Sequence, residues 1–283
     1  MGFTVMGWSE SQQATAYTSI SGLTDQHVSL NATDFYKVPT QLSKIIGAYG
    51  GGHNAATGGL MRRFRANAPS LLSNSVYPVF QPVDQSNALV ANPPPFHDLF
   101  DTPLTLVPNE NLGVDAVETA GTAQQQSIFL WVGDGLNMAL DLRRAVQLQL
   151  IEGSPIVEIQ NPQLIVWRAT GTTTLTANAW TLATLTADQT LPSGTYAIVG
   201  ASGGGVSSII DRLVIKGYAW RPGIIAHTGG TTAGSTGSDA YRFRFGKPGV
   251  LGYIDNTVLP DLEEFAVAAD TAEEVFLDLL KVA

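Results

Sequence analysis

Apolar and polar residues alternate along this chain in short runs, with turn residues between them. HVSLNAT (His27 to Thr33) has the period-two pattern of a half-buried strand. LMRRFRANA (Leu60 to Ala68), QLIVWRAT (Gln163 to Thr170), GTYAIVGA (Gly194 to Ala201) and IDRLVIKGYAW (Ile210 to Trp220) read as further strands. In SVYPVFQPV, Pro78 and Pro82 predict an edge or bulged strand, because proline has no N–H to give to a ladder. FHDLF, PLTLV and SIFLWVGD follow as strands, while VQLQLI and PIVEI on either side of EGS predict an inserted hairpin. The C-terminal segment carries two conflicting signals. Thr271 and Glu274 have capping-box spacing, with Phe276, Leu279 and Leu280 at helical intervals, which predicts a helix. Its match to SIFLWVGD, rich in β-branched and aromatic residues, predicts a strand, and that reading is preferred.

That match is part of a larger repeat. GAYGGGHNAATGGLMRRFRANAPSLL from Gly47 aligns without a gap with GASGGGVSSIIDRLVIKGYAWRPGII from Gly200, 153 residues later. From Pro39 and Pro192 onward, 10 of 34 positions are identical, including Gly50 to Gly52 on Gly203 to Gly205, with Arg63 falling on Lys216. Average residue usage predicts about 2 or 3 matches. Phe129 and Leu130 match Phe276 and Leu277 at an offset of 147, so a short deletion lies between, expected in the loop before Phe100 and Phe245. The chain therefore divides into an N-terminal arm (1–24) that packs on a neighbour or frays, a first unit (25–134), a connector with the hairpin (135–162), and a second unit (163–283). Seven or eight short strands per unit predict an all-β protein of two tandem jelly-roll sandwiches, a double jelly roll, in preference to a propeller of shorter period. Three such chains around a threefold axis would give a nearly hexagonal tile able to pave a shell.

Composition narrows the functions. Only 14% of residues are charged, against about 25% in an average soluble protein, which suits extensive interfaces. The net charge of −9 argues against a sequence-specific nucleic-acid binder. There is no cysteine, so neither disulfides nor thiolate metal sites are open to it. No apolar run approaches the ~20 residues of a membrane span, and MGFTVMGWSES lacks a leader's basic start and apolar core, so neither a span nor a secretory leader is expected.

Candidate chemistry is sparse. Neither glycine run is followed by the Lys and Ser/Thr of a phosphate loop, and both are expected to be tight turns between strands. Arg62, Arg63 and Arg65 form the dense basic cluster. In a strand Arg63 and Arg65 share a face, suited to an acidic neighbour, lipid headgroups or a packaged genome, or else to solvent or an internal ion pair. His27, His53, His97 and His227 lack metal-ligand spacing, and Gly7-Trp8-Ser9-Glu10-Ser11 lacks the last glycine of a nucleophile elbow, so no enzyme is expected. No cofactor is expected either, with Ca²⁺ at a subunit boundary as the exception to weigh. Asp255, Asp261, Glu263 and Glu264 could supply oxygens for it but lack the spacing of a calcium loop. Trp167, Trp180, Tyr218, Trp220, Tyr241, Phe243 and Phe245 suit a sandwich core better than a sugar platform.

TLPSGTYAIVGASGGG, DRLVIKGYAWRPGII and YRFRFGKPGVLGY, with their fainter echo in the first half, resemble the small double jelly-roll major capsid proteins of tailless icosahedral bacteriophages. The corticovirus type, with an internal membrane, is the nearest in pattern, and the finnlakevirus coat protein is similar. The resemblance implies a homotrimeric capsomer with upright strands and outward loops, neighbouring capsomers, vertex or membrane-associated virion proteins and an internal lipid surface as partners, and assembly in the cytoplasm of a bacterial host into a virion. The runner-up expectation, on the same architecture, is a carbohydrate- or receptor-binding spike or fibre module.

Overall fold

The computed structural model describes residues 3–12, 15–24, 28, 30–53, 63–72, 77–80, 97–99, 102–117, 124–134, 164–205, 207–228, 251–266, 269, 271 and 273–282. Among them the protein is all-β, with one 3-10 turn at Pro69–Leu71. The predicted hairpin of the connector lies outside the described residues, as do Arg62, His27, Tyr241, Phe243 and Phe245. By contacts the chain falls into two units, Gly2–Leu136 with Asn178–Trp180, and Asn137–Ala177 with Thr181–Ala283.

The first unit contains β1 (Phe3–Gln12), β2 (Thr18–Ser19), β3 (Leu30–Ala32), β4 (Phe35–Lys37), β5 (Lys44–His53), β6 (Arg63–Asn67), β7 (Val79–Phe80), β8 (His97–Asp98), β9 (Leu104–Thr105), β10 (Asn111–Val117) and β11 (Gln124–Gly133). One sheet runs β1-β11-β5-β8, with β9 also on β5; the other runs β3-β4-β10-β6-β7, with β2 on β10. The second half supplies β12 (Leu164–Gly171), β13 (Trp180–Ala183), β14 (Leu185–Ala187), β15 (Thr195–Gly205), β16 (Ser208–Val214), β17 (Gly223–Thr228), β18 (Gly252–Asp255), β19 (Asp261–Ala266) and β20 (Glu273–Lys281). These run β13-β19-β16-β17-β15-β20-β12-β14, with β18 on β15. The β15–β17 contact is parallel and only three rungs long, so it bridges two antiparallel sets: β12-β20-β15-β18 and β13-β19-β16-β17.

Strand for strand the sets correspond. β11 pairs with β5 so that Phe129 faces Tyr49 and Leu130 faces Ala48, and β20 pairs with β15 so that Phe276 faces Ser202 and Leu277 faces Ala201. The ladder slips at Ile46 in one and at Val199 in the other, again 153 apart, so even the irregularity is repeated. The C-terminal segment is a strand, not a helix, because β20 lies between two partners, β12 and β15, and its alternate residues Val275, Leu277 and Leu279 fill the core.

Three expectations are corrected. Residues 3–12 are not an arm: β1 pairs with β11 over its whole length, and Val5, Met6 and Trp8 are fully buried. The polar start concealed this because only its first six residues carry the apolar signal. Both glycine runs lie inside strands β5 and β15 rather than in turns; the ladder with β11 or β20 supplies the order that glycine itself does not. Finally, Arg63 does not match Lys216, which lies in the turn after β16. Ala66 N–H bonds the Pro78 carbonyl at 3.1 Å and Leu213 N–H bonds the Pro222 carbonyl at 2.8 Å, which equates Ala66 with Leu213 at an offset of 147. The deletion therefore precedes β16 instead of following it.

Candidate functional site

With that register, three-strand rungs superpose. Asp115–Arg65–Val79 across β10, β6 and β7 corresponds to Glu263–Arg212–Gly223 across β19, β16 and β17. Each rung puts an arginine beside a carboxylate on the face turned away from the core. Phe64 and Ala66 take the core side in the first unit, Asp211 and Leu213 in the second.

The two rungs have different surroundings. Arg65 donates to Asp115 Oδ2 from its Nε at 2.9 Å and from Nη2 at 2.6 Å, and its guanidinium carbon lies 4.5 Å from the ring centroid of Tyr17 and 5.6 Å from that of Tyr77. Asp115 is buried while Arg65 is about one-third exposed. Arg63, two residues earlier and on the same face, is exposed and makes no ion pair with a described residue. In the second unit Arg212 is fully buried and shares Glu263 with Arg221, both donating to Oε2. Of the described members of the predicted basic cluster, then, Arg65 is committed to an internal pair and Arg63 is exposed. Arg65→Ala should cost about 1–3 kcal/mol by stranding the buried Asp115 carboxylate, whereas Arg63→Ala should stay within about 0.5 kcal/mol; urea titration of both variants checks this.

A further arginine, Arg168, lies on the outward face of β12 and β20. Arg168 Nη1 donates to Asp188 at 2.6 Å, and its Nε and Nη2 donate to Glu274 Oε2 at 3.1 and 3.0 Å. The hydrogen bond to Asp188 first, and that to Glu274 next, raise the Arg168 pKa above its ordinary value. Two carboxylates share one guanidinium, which leaves one negative charge over.

The second unit's interior holds charge where the first holds hydrocarbon. Asp211 and Glu264, fully buried and facing each other across β16 and β19, occupy the rung of Phe64 and Ala116. Ser208 Oγ donates to Asp211 Oδ1 at 2.6 Å. Burial pushes the Asp211 carboxyl up to about 7, against the Ser208 hydrogen bond and with a push from Glu273. The folded chain thus keeps a proton between pH about 4 and 7 that the unfolded chain releases. This contribution to stability is complete below the ordinary value of 3.8 and is lost as pH rises through about 7. Asp211→Asn should remove that slope, so the stability of the variant relative to the parent rises by on the order of 1 kcal/mol per pH unit. Unfolding midpoints of both proteins at pH 5 and pH 8 test it.

The other candidates are not drawn together. Asp255 accepts from the Thr257 hydroxyl and backbone N–H, Glu263 is held by two arginines, and Glu264 points to the opposite side of β19. Among the described residues no group of three His, Asp or Glu is placed to hold a metal. His97 lies edge-on to Phe80 at 5.8 Å; His53 lies on β5 and His227 on β17. Trp167 is core as expected and Trp180 starts β13, but Tyr218 is not core: it and Trp220 fall in the turn after β16, where Tyr218 is exposed. Sequence reasoning missed Asp115 and Asp211, and weighed Glu263 as a calcium oxygen where it is an arginine partner, although a lone acid in an apolar run such as NLGVDAV or IIDRLV signals a cross-strand partner or a buried carboxyl. Compared with protein-family models and with curated proteins, the chain matches none.

Proposed function

We propose that this chain is a double jelly-roll coat protein, a major capsid protein whose pseudo-hexagonal homotrimers tile an icosahedral shell. The observation that carries the reading is strand order. Numbering the main strands of each unit one to eight (in the first β1, β4, β5, β6, β7, β8 with β9, β10 and β11), one sheet runs first-eighth-third-sixth and the other second-seventh-fourth-fifth, in both units. Alternation between two sheets in this order is the pattern expected of a jelly roll, and it supports that reading for each unit. Two similar jelly rolls in one polypeptide let three polypeptides present six similar faces. The part is structural, and no reaction belongs to it. Electron microscopy of purified protein, in buffers with and without calcium, tests the proposal: trimeric tiles, sheets or closed shells support it, and discrete particles of one chain that bind glycan oppose it in favour of a spike or fibre module.

A further inference from the structure

Each outward sheet face occurs twice in this chain, once buried and once exposed, and the exposed pair is complementary. On the β1–β11 face of the first unit, Val5, Phe129 and Trp131 are fully buried. Their counterparts on β12 and β20 are Val166, Phe276 and Asp278; Asp278 is buried and Phe276 half-buried, but Val166 is 45% exposed, next to Arg168 with its two carboxylates. On the β6–β10 face the order is reversed. Ile210 and Arg212 are fully buried in the second unit, whereas their counterparts Arg63 and Arg65 lie at the surface of the first, beside Val79 at 48% exposure.

We infer that the exposed β6–β10 face of one copy docks on the exposed β12–β20 face of the next, head to tail, with Arg63 meeting the acid left over at Asp188 and Glu274. Charge decides the pairing. The Arg65–Asp115 pair is neutral, so Arg63 and the exposed Lys37 make the first face net positive, while Asp188, Glu274 and Asp278 outnumber Arg168 and make the second net negative. Each face also has an exposed valine and an arginine lying over aromatic rings, Tyr17 and Tyr77 on one and Phe276 on the other, a composition that interface centres favour. A contact between unlike faces closes into a ring if its rotation allows, and otherwise propagates. The inference rests on the assembly proposed above and names the surfaces that build it.

The test is a charge exchange. Arg63→Glu and Asp188→Arg are each expected to weaken self-association at least tenfold in sedimentation velocity while leaving the melting midpoint within a few degrees. The double variant is expected to recover assembly. Singles that associate like the parent, or a double variant that stays as weak as the singles, overturn the docking. A parent chain that never associates removes the coat-protein reading itself, a result separable from failure of the exchange.

Discussion

Replacing Gly203 with alanine is expected to destabilise the second unit by about 3 kcal/mol or more. A Cβ there would sit 1.7 Å from Asp211 Oδ2 and 2.8 Å from its Cγ. The carboxyl cannot easily retreat, since Asp211 is fully buried, bonded to Ser208 and flanked by Glu264 on the neighbouring strand. The glycine run in β15 thus has a steric reason at Gly203: an acid from the facing sheet fills the space a side chain would take. Asp211→Ala should relieve the clash, because the remaining Cβ–Cβ separation of 3.3 Å needs only a few tenths of an ångström of adjustment. In denaturant titrations Gly203→Ala in the Asp211→Ala background should therefore cost about 1 kcal/mol or less, a large coupling between the two sites. A Gly203→Ala protein as stable as its parent would contradict this packing.

Trp8→Ala is expected to cost about 3–5 kcal/mol, in a transition belonging to the first unit. The indole is fully buried, meets Tyr36 edge-on at 4.9 Å, and donates from Nε1 to the Asp34 carbonyl at 3.0 Å. Tyr36 in turn donates its hydroxyl to the carbonyls of Gly7, at 2.8 Å, and Leu23. These contacts tie β1 and the segment after it to β4, so loss of the indole loosens both sheets. A frayed arm would lose almost nothing. Thermal melts followed by circular dichroism separate the two outcomes, and an unchanged first-unit transition would return residues 3–12 to the status of an arm.

Much of the architecture was legible because repetition is independent of local propensity. The match of Phe129 and Leu130 to Phe276 and Leu277 anticipated the actual register, and it outweighed the helical signal at Thr271 to Glu274. The ungapped match beyond the glycine runs, including Arg63 on Lys216, was misleading, since an ungapped alignment cannot show that the second unit omits residues before β16. That gap hid the correspondence of Arg65 with Arg212, and so hid the arginine–carboxylate rungs. Asp211 was read as one residue of an alternating strand. Nothing local in IIDRLV shows that the acid faces inward, because the space it fills is left open by Gly203 in a different sheet. Arg63 and Arg65 were correctly placed on one face, yet their different fates depend on Asp115, fifty residues beyond Arg65.

The central claim is that two like units in one chain let three chains build a six-sided block. Mass in solution addresses it most directly. Light scattering on the purified protein should give a particle of three chains of 30.0 kDa each, or a larger assembly made from such trimers. A single 30.0 kDa species at every salt and calcium concentration would contradict it.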